Sequence, residues 1–305
     1  MKTPSAIAYV TLVILMGCVS AVAQPADIKL FIRETYIHGV PYEKASQFDL
    51  TAVPLLLEML ASAQEERYWP NIVVTLGMIG DQRAVDPLIA FLSRSVRAEL
   101  SHSHYVAKTS VLMALGYVIN KTRNRTALNY LKESVEEPAV WGRRAIRWTS
   151  PYHASEDDRN SALSESAVIG LALSGEASAG TALRSLQKPG KTASAKRFRA
   201  QITERGLLSD ALRDHGVIAR EGLRAYYGKM DQECNQDADS CRRECNQDAD
   251  SCRSGCDQDR DDCMSKAGQP GEPTKAQCMQ RFTRCNANCT TRFNACSARC
   301  RTCPD

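Results

Sequence analysis

Cysteine is the residue whose number and spacing promise chemistry in this chain. Thirteen are present; Cys18 stands alone, and the other twelve fall between Cys234 and Cys303. A cysteine sulfur can close a disulfide, attack as a nucleophile or grip a soft ion such as Cu(I). The spacing narrows the choice. Six and three intervening residues alternate through Cys234, Cys241, Cys245, Cys252, Cys256 and Cys263. After a break the alternation resumes at Cys278, Cys285, Cys289, Cys296 and Cys300, with Cys303 close behind. The first run is an eleven-residue unit written twice almost letter for letter, from Gln232 to Arg242 and from Arg243 to Arg253, then once more loosely. Eleven residues make three turns of about 3.67 residues, close to an α-helix. At about 100° per residue each run of six cysteines falls within an arc of about 60°.

Each run is therefore predicted to be a helix with a cysteine stripe. Gly268, Pro270, Gly271 and Pro273 make the segment between them a turn. Thr274 with Gln277 forms a capping box that starts the second helix. Facing residues of an antiparallel pair have a constant index sum. Five pairs share one such sum: Cys263 with Cys278, Cys256 with Cys285, Cys252 with Cys289, Cys245 with Cys296, and Cys241 with Cys300. Cys234 is left for Cys303, outside that register. Helix axes about 8–10 Å apart put facing Cα atoms about 4–5 Å apart, at the low end of disulfide reach. Charge agrees with this pairing. Residues 231–263 carry eleven acidic and four basic side chains, and residues 265–305 carry seven basic and two acidic. Bulk is scarce (Met264, Met279, Phe282 and Phe293), so cross-links must hold such a hairpin. The paired cysteine motifs resemble, in spacing alone, those of the plant α-hairpinins. That resemblance implies protease-inhibitor or antimicrobial activity as possibilities without selecting one. A competing arrangement is a stripe of free thiolates storing Cu(I), similar to bacterial copper-storage proteins.

The elements that carry this tail come earlier. Ala52-Val53-Pro54-Leu55-Leu56-Leu57-Glu58-Met59-Leu60 parallels Ala84-Val85-Asp86-Pro87-Leu88-Ile89-Ala90-Phe91-Leu92, each an amphipathic helix with proline near its start. The second follows Leu76-Gly77-Met78-Ile79-Gly80-Asp81, a helix end, a glycine C-cap and an aspartate N-cap. Weaker copies end at Leu131 and Leu186, with Asn120 in the aspartate's place in the former. Leu60, Leu92, Leu131 and Leu186 are spaced by 32, 39 and 55 residues, two helical-pair periods and one enlarged by an insertion. These residues resemble the HEAT-like repeats first described in phycobilisome lyases, over roughly residues 45–190. The resemblance implies an all-α solenoid with a protein-binding face, and no lyase chemistry. Helices near 194–208 and 210–227 are expected to cap the stack through Leu207, Leu208, Leu212, Val217, Ile218 and Leu223.

The insertion, residues 137–156, has the composition of an interface hot spot: Trp141, Arg143, Arg144, Arg147, Trp148, Tyr152 and His153. The alternative is a loop folded back on the solenoid with its tryptophans filling a gap. Enzyme motifs are absent. Gly190-Lys191-Thr192 lacks the earlier glycine and strand of a phosphate loop. His102 and His104 are spaced for a strand yet begin a predicted helix, and a surface position is expected for both. Asp257, Asp259 and Asp261 lack the glycine and glutamate of a calcium loop. No cofactor, metal or nucleic acid is expected, and the net charge of +4 gives no strong pull toward polyanions.

The start reads as an export signal over residues 1–23, with Lys2, the apolar run from Ala6 to Gly17, and a small-residue cleavage site at Ala21-Val22-Ala23. Leu15-Met16-Gly17-Cys18 alternatively resembles a lipobox that makes Cys18 a lipid anchor. Either route leaves twelve cysteines, an even number, in a compartment where disulfides persist. The domain plan is a signal over 1–23, a solenoid over 24–230 and a cysteine-rich hairpin over 231–305. The expected role is an exported, non-catalytic scaffold for a protein partner. The rivals are an effector or inhibitor carried by the tail, and copper storage.

Overall fold

A computed structural model describes residues 25–36, 39–95, 99–144, 146–267, 269–270, 272–297 and 300. Among them every regular element is a helix. The expected signal over 1–23, with Cys18, lies outside the described residues, as does Cys303.

The body is built in two rows. One row is α4 (Trp69–Ile79), α6 (His102–Thr122), α9 (Glu156–Ser174) and α12 (Leu207–Glu221), each packed on the next. The shorter helices α3 (Val53–Ala61), α5 (Val85–Ser93), α7 (Arg125–Glu136) and α10 (Ala177–Ser185) pack against that row. At the start, α1 (Pro25–Arg33) and α2 (Tyr42–Ala45) rest on α4, and α11 (Ala193–Glu204) rests on α12. One helical pair cannot bury both of its apolar faces, and stacking supplies the missing cover. Helix α6 is buried almost all round from Val111 to Ile119, so no polar face is visible in its sequence there.

Glycine sets the closeness of the row. A Cβ added at Gly77 would lie 2.6 Å from Ala114 Cα, and one added at Gly116 would lie 2.2 Å from the Gly170 carbonyl oxygen. The repeated glycine before each helix end therefore lets backbones meet. The terminating glycines are others: Gly80 and Gly175 end α4 and α9 with φ of 72° and 56°.

Local signals place the ends. Asp81 accepts from the Arg83 N–H, and Thr274 and Gln277 form the reciprocal cap of α14 (Lys275–Ser297) at 2.8 and 3.3 Å. Two expectations need correction. The turn read at Asn120 falls inside α6, which ends at Arg123 with φ 55°, and Asn124 caps α7. The helix placed at 210–227 stops at Glu221, and α13 runs unbroken from Leu223 to Lys266, 44 residues. The position between residues 230 and 231 thus lies within a helix.

Candidate functional site: a sulfur ladder and the folded-back insertion

Helix α13 enters the tail from a fixed root. Tyr227 stacks on Tyr42 with ring centroids 4.9 Å apart, and its hydroxyl hydrogen-bonds to that of Tyr117. Arg224 pairs with Glu43 at 2.8 Å on the surface. Beyond this root α13 and α14 pack along their length.

Five sulfur pairs lie between them. Cα–Cα distances are 5.6 Å for Cys241–Cys300 and 5.7 Å for Cys245–Cys296. They are 5.8 Å for Cys252–Cys289 and for Cys256–Cys285, and 5.7 Å for Cys263–Cys278. These are the pairs sharing one index sum. The separations exceed the 4–5 Å expected from helix packing alone and sit in the middle of disulfide range. The side chain of Cys234 lies outside what the structure describes.

Small side chains fill the spaces between rungs. Ala238 and Ala249, eleven residues apart, are buried. At the equivalent step stands Arg260, whose guanidinium lies 4.8 Å from the centre of the Phe282 ring on the other helix. The acidic row is solvated: Asp257 and Asp261 lie on α13 and pair with Arg260 at 2.9 Å. Those aspartates form no loop.

The insertion, which includes the short helix α8 (Val140–Arg143), folds back. Trp141 and Trp148 have no exposed surface. Trp141 Nε1 donates to Ser164 Oγ at 3.0 Å, and Trp148 Nε1 donates to the Leu92 carbonyl at 3.1 Å. A buried indole cannot meet a partner, so the hot-spot reading of these two residues is corrected to the gap-filling alternative. Arg144 lies 3.7 Å from the Tyr130 ring centre and pairs with Glu133 at 3.0 Å, which commits it to the body. Arg143 and Arg147 are exposed. Tyr152 is 49% exposed; its hydroxyl contacts His102 Nδ1 at 2.8 Å, and Tyr105 and His153 meet at 2.9 Å.

His104 is not at the surface. It lies edge-on to Trp69, with centroids 4.7 Å apart, and burial followed by nearby Lys108 lowers its pKa to about 4. Lys108 itself is buried. Its ammonium donates to the carbonyls of Phe91, Leu92 and Arg94 at 2.7–3.0 Å, closing the end of α5. Burial, with Arg94 adding, lowers its pKa to about 7. Neither role was read from the sequence, although 104, 108, 111 and 115 form one helical stripe that ends in valine and leucine.

No described helix is long and apolar enough to cross a membrane. No curated protein and no solved structure matches the chain. Residues 71–94 match the PBS lyase HEAT-like repeat, spanning most of α4, the Gly80–Asp81 turn and all of α5. The body of this chain therefore carries a repeat of the PBS lyase HEAT-like family.

Proposed function

We propose that the chain is an exported, non-catalytic scaffold that holds a protein partner on its stacked helices, with the tail as a rigid, disulfide-closed spacer or second contact. The observation that carries the reading is the HEAT-like repeat set in a row of helices packed one on the next. Such rows expose a long surface to a partner. Five sulfur pairs at bonding distance support an oxidising compartment: periplasm, outer envelope or exterior. Processing after Ala23, or lipid attachment at Cys18, belongs to the same reading and is settled by the intact mass of the mature protein.

The partner-facing residues we assign are Arg143, Arg147 and Tyr152. They are the exposed remainder of the insertion, and tyrosine and arginine are the side chains that dominate protein contacts. The test captures partners from the producing cell with the intact chain and with a chain ended after Tyr227. Retention of the same partner by both places the binding on the body. Loss on truncation would move the activity to the tail, as an effector or inhibitor. Arg143→Glu with Arg147→Glu, both at exposed positions, should weaken capture at least tenfold without moving the melting temperature.

A further inference from the structure

The sulfur contacts that are not bonds carry a second message. The rungs of the ladder come in two close couples. Cys241–Cys300 lies one helical turn from Cys245–Cys296, and Cys252–Cys289 lies one turn from Cys256–Cys285. Within the couples, Cys245 Sγ is 3.8 Å from Cys300 Sγ, and Cys256 Sγ is 3.5 Å from Cys289 Sγ. The sulfurs of Cys241, Cys245 and Cys300 all lie within 4.8 Å of one another, as do those of Cys252, Cys256 and Cys289. The fourth sulfur of each couple, on Cys296 or Cys285, is bonded to one of these three. Cys263–Cys278 differs: no other described rung lies one turn away.

Two cysteines four residues apart on one helix, facing two more on its neighbour, form the donor set of a tetrahedral zinc site. Zinc–sulfur bonds of about 2.3 Å give such a tetrahedron edges of about 3.8 Å. One unbonded pair in each couple, Cys245 with Cys300 and Cys256 with Cys289, already stands near that separation. Breaking the two bonds of a couple requires each bonded pair to part by somewhat under about 2 Å to reach the same edge, within the reach of side-chain rotation. Cys245 and Cys300 in one couple, and Cys256 and Cys289 in the other, are buried, while the other two sulfur-bearing residues of each couple are half-buried.

We propose that in the reduced chain each couple binds one Zn2+ as a tetrathiolate. One site uses Cys241, Cys245, Cys296 and Cys300, and the other uses Cys252, Cys256, Cys285 and Cys289. The hairpin is then closed in either redox state, by covalent rungs when oxidised and by metal when reduced. The steps balance. Two phosphine molecules reduce the two disulfides of a couple to four thiols, and each becomes a phosphine oxide with oxygen from water. The four thiols then release four protons as one Zn2+ binds, leaving the site with a net charge of minus two. This inference does not rest on the scaffold reading or on the compartment.

The experiment takes the mature full-length chain, reduces it with a phosphine under argon, and titrates Zn2+ against a coloured chelator. Co2+ serves as the optical reporter of tetrahedral thiolate coordination. Two equivalents should bind per reduced chain and none per oxidised chain, and affinity should fall as pH is lowered because protons compete for sulfur. Helix content lost on reduction should return with the metal. Cys252→Ser with Cys256→Ser should leave one equivalent, and Cys263→Ser with Cys278→Ser should leave two. Failure of the reduced wild-type chain to bind Zn2+ overturns the proposal without reference to any variant. So does loss of an ion in the Cys263 and Cys278 variant. Uptake of more than two Cu(I) per chain with no Zn2+ would also overturn it, and would assign the sulfurs to an open copper–thiolate cluster.

Discussion

His104 and Lys108 show what a single buried side chain does to this body. His104 titrates at about 4 when folded, against 6.5 for the free side chain. Above 6.5 it is neutral in both states, and below about 4 it is charged in both. Between these values the unfolded chain holds a proton that the folded chain lacks, so stability falls as pH drops from 6.5 to 4. Among its neighbours Lys108 and Arg94 act with burial, and Glu66 opposes it. His104→Phe, which keeps the contact with Trp69, should flatten that part of a melting-temperature profile; an unchanged slope would refute the assignment. Trp148→Ala should cost about 3–5 kcal/mol in urea unfolding, as for other large buried rings. An exposed hot-spot tryptophan would cost almost nothing. The composition of the insertion could not decide between these roles, because tryptophan and arginine serve interfaces and cores alike. Burial depends on Leu92 and Ser164, far away in sequence.

At the scale of the element, the difference between what was legible and what was not is the range of the interaction. Gly80 and Asp81, and Thr274 with Gln277, could be read because a cap is closed by its own neighbours. Gly77, Gly116 and Gly170 could be seen to recur, but their purpose lies on another helix. The prediction is asymmetric. Gly116→Ala should destabilise by about 1–3 kcal/mol, since a methyl must enter the space of the Gly170 backbone. Gly255→Ala, in α13 with nothing within 4 Å of the new carbon, should stabilise by up to about 1 kcal/mol. Thermal unfolding of the two variants checks both signs. The expected boundary near 230 follows from where the eleven-residue cysteine unit begins, at Gln232. Such a change of composition does not by itself end a helix, and from Leu223 to Lys266 no proline interrupts α13.

For the whole molecule the continuity of α13 is decisive. Its 44 residues span about 66 Å at 1.5 Å per residue, so one end is seated in the body and the other lies far from it. Tyr227 is the seat. Tyr227→Ala removes its stacking on Tyr42 and its bond to Tyr117, and should broaden the angular distribution of the tail seen by small-angle scattering. Arg224→Ala, which removes an exposed ion pair, should change little. The ladder was the most legible part of the chain because its pairing is a palindrome in residue number, and any other register would strand several cysteines. The root was the least legible, since Tyr42, Tyr117 and Tyr227 share no local pattern.

The rungs also govern what a protease can achieve. A cut in α13 between Cys245 and Cys252, or in α14 between Cys289 and Cys296, leaves both new ends tied to the opposite arm by rungs on either side. Such a nicked tail would migrate as one species on a non-reducing gel and fall into fragments once thiol is added. Clipping between rungs would therefore not shed the tail.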